Sequence, residues 1–538
     1  MRKAAKLIVN EGAEFKINGS AQTEIVLDSD DEINGTFNMQ NGKLTLEALE
    51  TEGTILASGG QFIVNGNTML NGVTTIAGTV NTTVNGTLGI NNSDMNTNIV
   101  LNSGDSIEGG KVDLQQGKLT LDGFTTATGE IAASGGTVVV TGDTNLSGKT
   151  TIDEDVTANI NGTLNINNAA SKVVLNSYDT IANNGKVSLT AGTLNLDGLT
   201  TSGEISADSG NVIVDNINNL NGKTTIGANA VTTVNGTMNI NNAASNVTLN
   251  SGDTINGTVG LKLGNLNVNG LTTSGAIDAD NGNLTLSGTN NLTGVVTVDE
   301  AVNAVINDTL TVNNANSNIV LNSTDNLNGA VNLADGTLNL KGLTTSGTID
   351  ADGGKFIVDG RTVLNGETTI DAAVETVINN NAVLVLNNDN SSVTLNRVDE
   401  TNKDTWNGTV ELTKGTLNVE GLTSNGAIQA VGGNINIKSG ELKLDGTSFI
   451  GNASNKGADV NISNGGSLIV NTDSIIAKSI TGKGNITVNG SKLTFNSESA
   501  VDNTLGFTSK NNSTAVINAN NSSVNDILKI INGGDNNY

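Results

Sequence analysis

The sequence predicts an all-β chain wound into a single-stranded, right-handed parallel β-helix, on three observations. A long repeat runs through most of the 538 residues. Inside it, short segments carry apolar residues at every second position. Aromatic residues, which fill the wide core of an ordinary domain, make up only 2% of the chain.

The long repeat is the firmest of the three, and repeats are to be sought before any other feature. Gly192-Thr193-Leu194-Asn195-Leu196-Asp197-Gly198 returns from Gly117, Gly264, Gly336 and Gly415, and in weaker form from Gly42. The steps between successive starts are 75, 75, 72, 72 and 79. A second motif, Asn161-Gly162-Thr163-Leu164-Asn165-Ile166-Asn167-Asn168, keeps step with the first from Asn85, Asn235 and Asn307. A third, Leu249-Asn250-Ser251-Gly252-Asp253-Thr254-Ile255, is echoed from Leu27, Leu101, Leu175 and Leu321. Six such units therefore cover 1–440. Residues 441–538 keep the composition without the long repeat, as a divergent continuation or a cap.

Within a unit, Val247-Thr248-Leu249, Leu266-Asn267-Val268 and Leu284-Thr285-Leu286 follow one another in steps of 19 and 18. Alternation of this kind turns one side chain inward and the next outward along a strand. The Gly, Asn and Asp residues between the strands suit corners that need positive φ. A 72-residue unit divides into four coils of about 18, with three of 24 as the other solution. At ~4.8 Å per coil, some thirty coils make an elongated rod on the order of 140 Å long. Asn, roughly one residue in six, is expected to stack into amide ladders at matching corners. Helices are expected to be nearly absent. Disorder is disfavoured by the regular apolar spacing. A string of β-sandwiches is disfavoured by the single Trp.

Composition limits the chemistry. With no His and no Cys, His-dependent triads, thiol nucleophiles and the usual zinc sites are excluded. A net charge of −27 disfavours nucleic acid and anionic lipid, which need clustered Lys or Arg. No apolar run is long enough to span a membrane as a helix. The basic start Met1-Arg2-Lys3 leads into polar residues and not into the apolar stretch of a signal peptide. No cofactor is expected and no glycosylation is read from the many Asn-x-Ser/Thr triplets.

Two groups of residues stand out as candidate sites. Asp31, Asp105, Asp179, Asp253, Asp325 and Asp404 recur in the third motif. At four coils per unit they would lie about 19 Å apart, too far to share a metal, and they read as corner residues. The fifth unit carries five extra residues within Asn396–Trp406. An insertion in a solenoid bulges outward at a corner, so Arg397, Asp399, Glu400, Lys403 and Trp406 form a candidate contact loop. Trp406 also occupies the place of Ile107, Ile181, Ile255 and Leu327 in the other units, which predicts a core position.

The Gly-Thr-Leu-Asn-Leu-Asp-Gly and Asn-Gly-Thr-Leu-Asn-Ile-Asn-Asn segments resemble coils of bacterial autotransporter passenger domains and filamentous-haemagglutinin-like adhesins. The resemblance covers residues 42–440 well and the tail loosely. It implies a secreted or outer-membrane-associated surface protein, an adhesive or structural stalk that meets host or neighbouring-cell surface molecules. The family's C-terminal barrel of amphipathic strands has no counterpart in this sequence. A separate translocator, or a barrel outside this sequence, is then expected. The competing class is a β-helical carbohydrate-active enzyme or phage tailspike-like protein. Such an enzyme works with paired carboxylates and aromatic platforms, and here only the first is plentiful.

Overall fold

A computed structural model describes residues 5–126, 128–397, 404–518 and 520–533. It is 62% strand and 2% helix, with parallel strands stacked as a β-solenoid of about 25 turns. The chain divides into two compact units, Met1–Leu266 and Asn267–Tyr538.

In the first unit each coil has three faces. The first face stacks Glu14–Asn18, Thr36–Asn41, Thr54–Ala57, Thr74–Ile76, Asn98–Asn102, Lys118–Asp122, Thr137–Thr141, Thr157–Ile160 and Thr180–Ile181. The second begins Glu24–Asp28, Lys43–Glu47, Gly60–Val64, and the third Glu50–Thr51, Asn67–Leu70, Thr87–Asn91. Inward positions are Leu, Ile and Val at nearly zero exposure, for example Leu119, Leu121, Val138 and Val140. Outward Thr and Asn alternate with them, as the spacing predicts. Most strands find their hydrogen bonds in the coils before and after them, while short strands such as Glu32–Ile33, Ser106–Ile107 and Thr180–Ile181 end their ladders.

The coil is longer than expected, and the long repeat is not four coils. In the first unit register offsets run from 18 (Thr36 to Thr54) to 24 (Thr87 to Lys111), about 20 on average. The excess sits at corners. Thr163–Asn176 is one 14-residue strand that turns a corner, with register breaks at Ile166/Asn167 and Asn167/Lys172. Residues 167–170 lengthen the path without adding an inward side chain, and only Ser171 turns inward. One long repeat thus spans three and two-thirds coils. Accordingly, the first-motif strand lies on the second face at Lys43–Glu47, on the first at Lys118–Asp122, and on the third at 193–197.

The second unit follows the same rule. The first-motif strand from Thr337 pairs with Lys355–Asp359, and the next copy, Thr416–Glu420, lies on another face, between Ser392–Asn396 and Asn434–Ile437. Coil pairing continues past residue 440, through Gly440–Leu444, Gly466–Val470, Asn485–Asn489 and Gly506–Lys510.

A single helix, Val524–Gly533, then follows, in keeping with the expectation that helices are almost absent. Val524, Ile527, Leu528 and Ile531 are spaced i, i+3, i+4, i+7, the period of an amphipathic helix. The Ile527 amide donates to the Ser523 carbonyl at 2.9 Å, which makes Ser523 the N-cap, and Asp526 lies in the first turn. The helix packs on Gly506–Lys510 with Ile527 and Ile530 buried.

Candidate functional site

The six recurring aspartates are buried, and each performs the same task. Asp179 Oδ1 accepts from the Ala158 amide of the preceding coil at 2.6 Å, and Oδ2 from the Asn176 amide of its own turn at 2.6 Å. The Oδ1 bonds are repeated from Leu7 to Asp31, Thr82 to Asp105, Thr232 to Asp253, Ala304 to Asp325 and Thr376 to Asp404, at 2.5–2.7 Å. Each carboxylate is a clamp that joins one coil to the next where the strand ladder is interrupted by a corner. Asn176, three residues earlier, makes the Asx turn itself, its Oδ1 accepting from the Tyr178 amide at 2.8 Å.

Burial pushes the carboxyls of Asp105, Asp179, Asp253 and Asp325 above the usual range, against the downward pull of two amide donors each. Asp404 is pushed up to about 6, by burial first and with a contribution from the charge of Glu375. The aspartates are not spaced by whole coils, as four coils per unit would require. Successive copies fall on different faces: Asp31 precedes a third-face strand, Asp105 a second-face strand and Asp179 a first-face strand. Among the described residues no group of three acidic side chains could hold a metal ion.

Other recurring polar residues are used in the same way. Ser171, Ser245, Ser317 and Ser391 accept, through Oγ, from the amides of Thr150, Thr224, Val296 and Thr368 at 2.8–2.9 Å. Thr51 Oγ1 donates to the Ile33 carbonyl and accepts from the Gly53 amide, and Thr201 and Thr345 repeat the pair. The expected amide ladders are present. Asn511, Asn489 and Asn471 each donate to the residue one coil below, ending on Asp445, at 2.5–2.9 Å.

Of the candidate contact loop, Asp399, Glu400 and Lys403 lie outside the described residues. Arg397 is exposed, and its amide donates to the Glu420 carbonyl at 2.9 Å. Trp406 is in the core, as its alignment with Ile107 and Ile181 predicts, so it belongs to the interior and not to a contact surface. It stacks on Ile378, and its Nε1 has no hydrogen-bond partner among the described residues. Gly426 lies over it: a Cβ there would stand 2.5 Å from Trp406 Cδ1. Gly129 and Gly203 cover Ile107 and Ile181 in the same way, at 2.1 and 2.2 Å. The insertion leaves the clamp intact, since Asn396 donates to Asp404 across eight residues where Asn176 donates to Asp179 across three. Arg397 and Trp406 therefore do not form one surface.

Sequence reasoning missed one further feature. A groove of about 560 Å³ opens beside the terminal helix, lined by Val488, Phe507, Ala515, Ile517, Leu528 and Ile531. The helical spacing of residues 524–531 was the available signal.

The recurring aspartates, with the serines and threonines named above, are thus occupied in joining coil to coil. Comparison with protein-family models, with curated proteins and with solved structures yields no match to the chain.

Proposed function

We propose that the chain is an extracellular surface solenoid of bacterial origin, an adhesive or structural stalk that resembles an autotransporter passenger and is not an enzyme. One observation carries this reading. The six recurring aspartates, Ser171, Ser245, Ser317 and Ser391, Thr51, Thr201 and Thr345, and many of the asparagines bond to neighbouring coils. Selection for a regular, self-supporting stack accounts for such a repeat. A catalytic site, by contrast, would place a distinctive cluster at one point. The absence of Cys suits a protein that crosses a membrane unfolded and has no disulfide to form or break.

On this reading the protein belongs to the secreted fraction or the outer surface, with host or neighbouring-cell surface molecules as partners. Protease shaving and immunolabelling of intact producing cells test the location; protein protected until lysis overturns it. Beads coated with the purified chain and presented to host and bacterial cells separate an adhesin, which holds them, from a passive stalk, which does not. Carboxylate-dependent cleavage of a polysaccharide in a broad panel would move the chain to the enzyme class.

A further inference from the structure

Among the described residues the last strand, Thr514–Ile517, is paired on one side only. It lies parallel to Lys492–Phe495, with the Thr514 amide donating to the Ser491 carbonyl and the Asn518 amide to the Phe495 carbonyl. In a parallel ladder the groups of alternate residues point to opposite sides. The amide and carbonyl groups of Ala515 and Ile517 therefore point away from the stack. Among the described residues no strand pairs with that edge. Ala515 and Ile517 stand directly beyond Leu493 and Phe495, the fully buried inward residues of the coil before. Their own side chains are only half-buried, and they line the groove with Phe507 and Leu528. Leu528, which lines the groove, is itself exposed.

The terminal helix closes the end of the core over Gly506–Lys510 and leaves Thr514–Ile517 open. That choice of position decides what can enter. A helix is ~10 Å across, about twice the ~4.8 Å between coils. It stands prouder than one added strand, so the flat end of a second solenoid cannot come within pairing distance of the open edge. A single extended segment can slip in beside the helix.

We propose that this edge and groove form a strand-acceptor site for an extended peptide with apolar residues at alternate positions. The main chain of the peptide pairs with Ala515 and Ile517, and its apolar side chains take the place of the next coil's inward residues, against Phe507 and Leu528. Main-chain pairing supplies affinity and the side-chain pockets supply selectivity, as in other strand-addition sites.

The test uses the full chain and a fluorescent peptide Ser-Lys-Leu-Thr-Phe-Asn, the sequence of Ser491–Asn496, which natively occupies the position one coil below. Saturable binding by fluorescence anisotropy is expected. It should weaken at least ten-fold when the peptide Leu and Phe are replaced by Asp, and likewise in the Leu528→Glu and Ile517→Asp proteins. N-methylation of alternate peptide amides is to be done in both frames. One frame should lose binding ten-fold or more and the other should keep it, a result independent of how the protein variants fold. No saturable binding up to millimolar peptide, or indifference to N-methylation in both frames, overturns the proposal. So does a self-associating protein that Leu528→Glu renders monomeric, which would assign the groove to a second copy.

Discussion

Replacing Asp179 by Ala removes a clamp and nothing else of size. The carboxylate is 3% exposed and accepts from the Ala158 and Asn176 amides. Truncation leaves two amides without a partner in a place that a strand ladder does not reach. Each orphaned buried donor costs about 1–3 kcal/mol. Part of this is returned, because a buried carboxylate whose pKa is raised is itself held at a cost at neutral pH. The expected net loss is about 2–4 kcal/mol, and Asp179→Asn, which keeps one acceptor, should lose about half as much. Because coils interact with their neighbours only, the damage should be local. Hydrogen exchange is the suitable assay: protection of the Ala158 and Asn176 amides should fall by the same free energy, with the far coils of the unit unchanged. Exposed Glu108→Ala serves as the control, expected within ~0.5 kcal/mol. If Asp179→Ala behaves like that control, the clamp contributes nothing and the reasoning fails.

Acid should stabilise the coils that Asp404 joins. The folded carboxyl of Asp404 titrates at about 6, above the ordinary ~3.9 of an unfolded chain, so the folded state binds its proton at higher pH and its stabilising contribution is lost as pH rises through about 6. The difference corresponds to about 3 kcal/mol. The unfolding midpoint should therefore rise between pH 8 and pH 5 by more in the parent than in Asp404→Ala; an equal or smaller rise means that the ionised form is the one the fold prefers. Gly203→Ala would set a methyl 2.2 Å from Ile181 Cγ2 and 2.6 Å from the Ala182 carbonyl oxygen, an overpacking expected to lower stability by about 1–3 kcal/mol; an unchanged unfolding midpoint would contradict it. Deleting Val398 to Asn402 shortens the Asn396–Asp404 connection to the length that the five other clamps use, and the melting temperature should stay within a few degrees.

Alternation made the strands legible: Leu194 and Leu196, or Leu266 and Val268, point inward as the pattern predicts. Coil length was misread because Val247, Leu266 and Leu284 happen to sample the shortest coils. Elsewhere residues such as Asn167 to Ser171 pass around a corner, and Thr163 finds its partner only at Lys186. Nothing in the local pattern tells a corner residue from an outward strand residue, since both are polar. The aspartates were visible as a recurring type, yet their partners lie on the preceding coil. Ala158 becomes a neighbour of Asp179 only once the coil length is known. The terminal helix carried its period in four residues, Val524, Ile527, Leu528 and Ile531, which the polar Asn-rich tail around them masked. The core position of Trp406 was legible because four aligned units supplied the comparison.

The non-integer repeat has a mechanical consequence. If a long repeat spanned four whole coils, every clamp would tie the same corner, and the other two corners would rely on ladders alone. At three and two-thirds coils, each repeat moves its clamp by one face. Within the first unit the clamps of Asp31, Asp105 and Asp179 take the third, second and first faces in turn, and Asp253 returns to the third. Asp31 and Asp253 are then eleven coils apart, ~50 Å along the stack. The same step carries the glycine corners around as well. Gly117 and Gly192, with φ of 92° and 96°, are weak points for any side chain, and they too fall on different faces. A unit built this way has no face that collects all the ties and none that collects all the corners where the ladder breaks. An extended period that is incommensurate with the coil thus distributes both reinforcement and weakness around the axis, using no more than one repeated sequence.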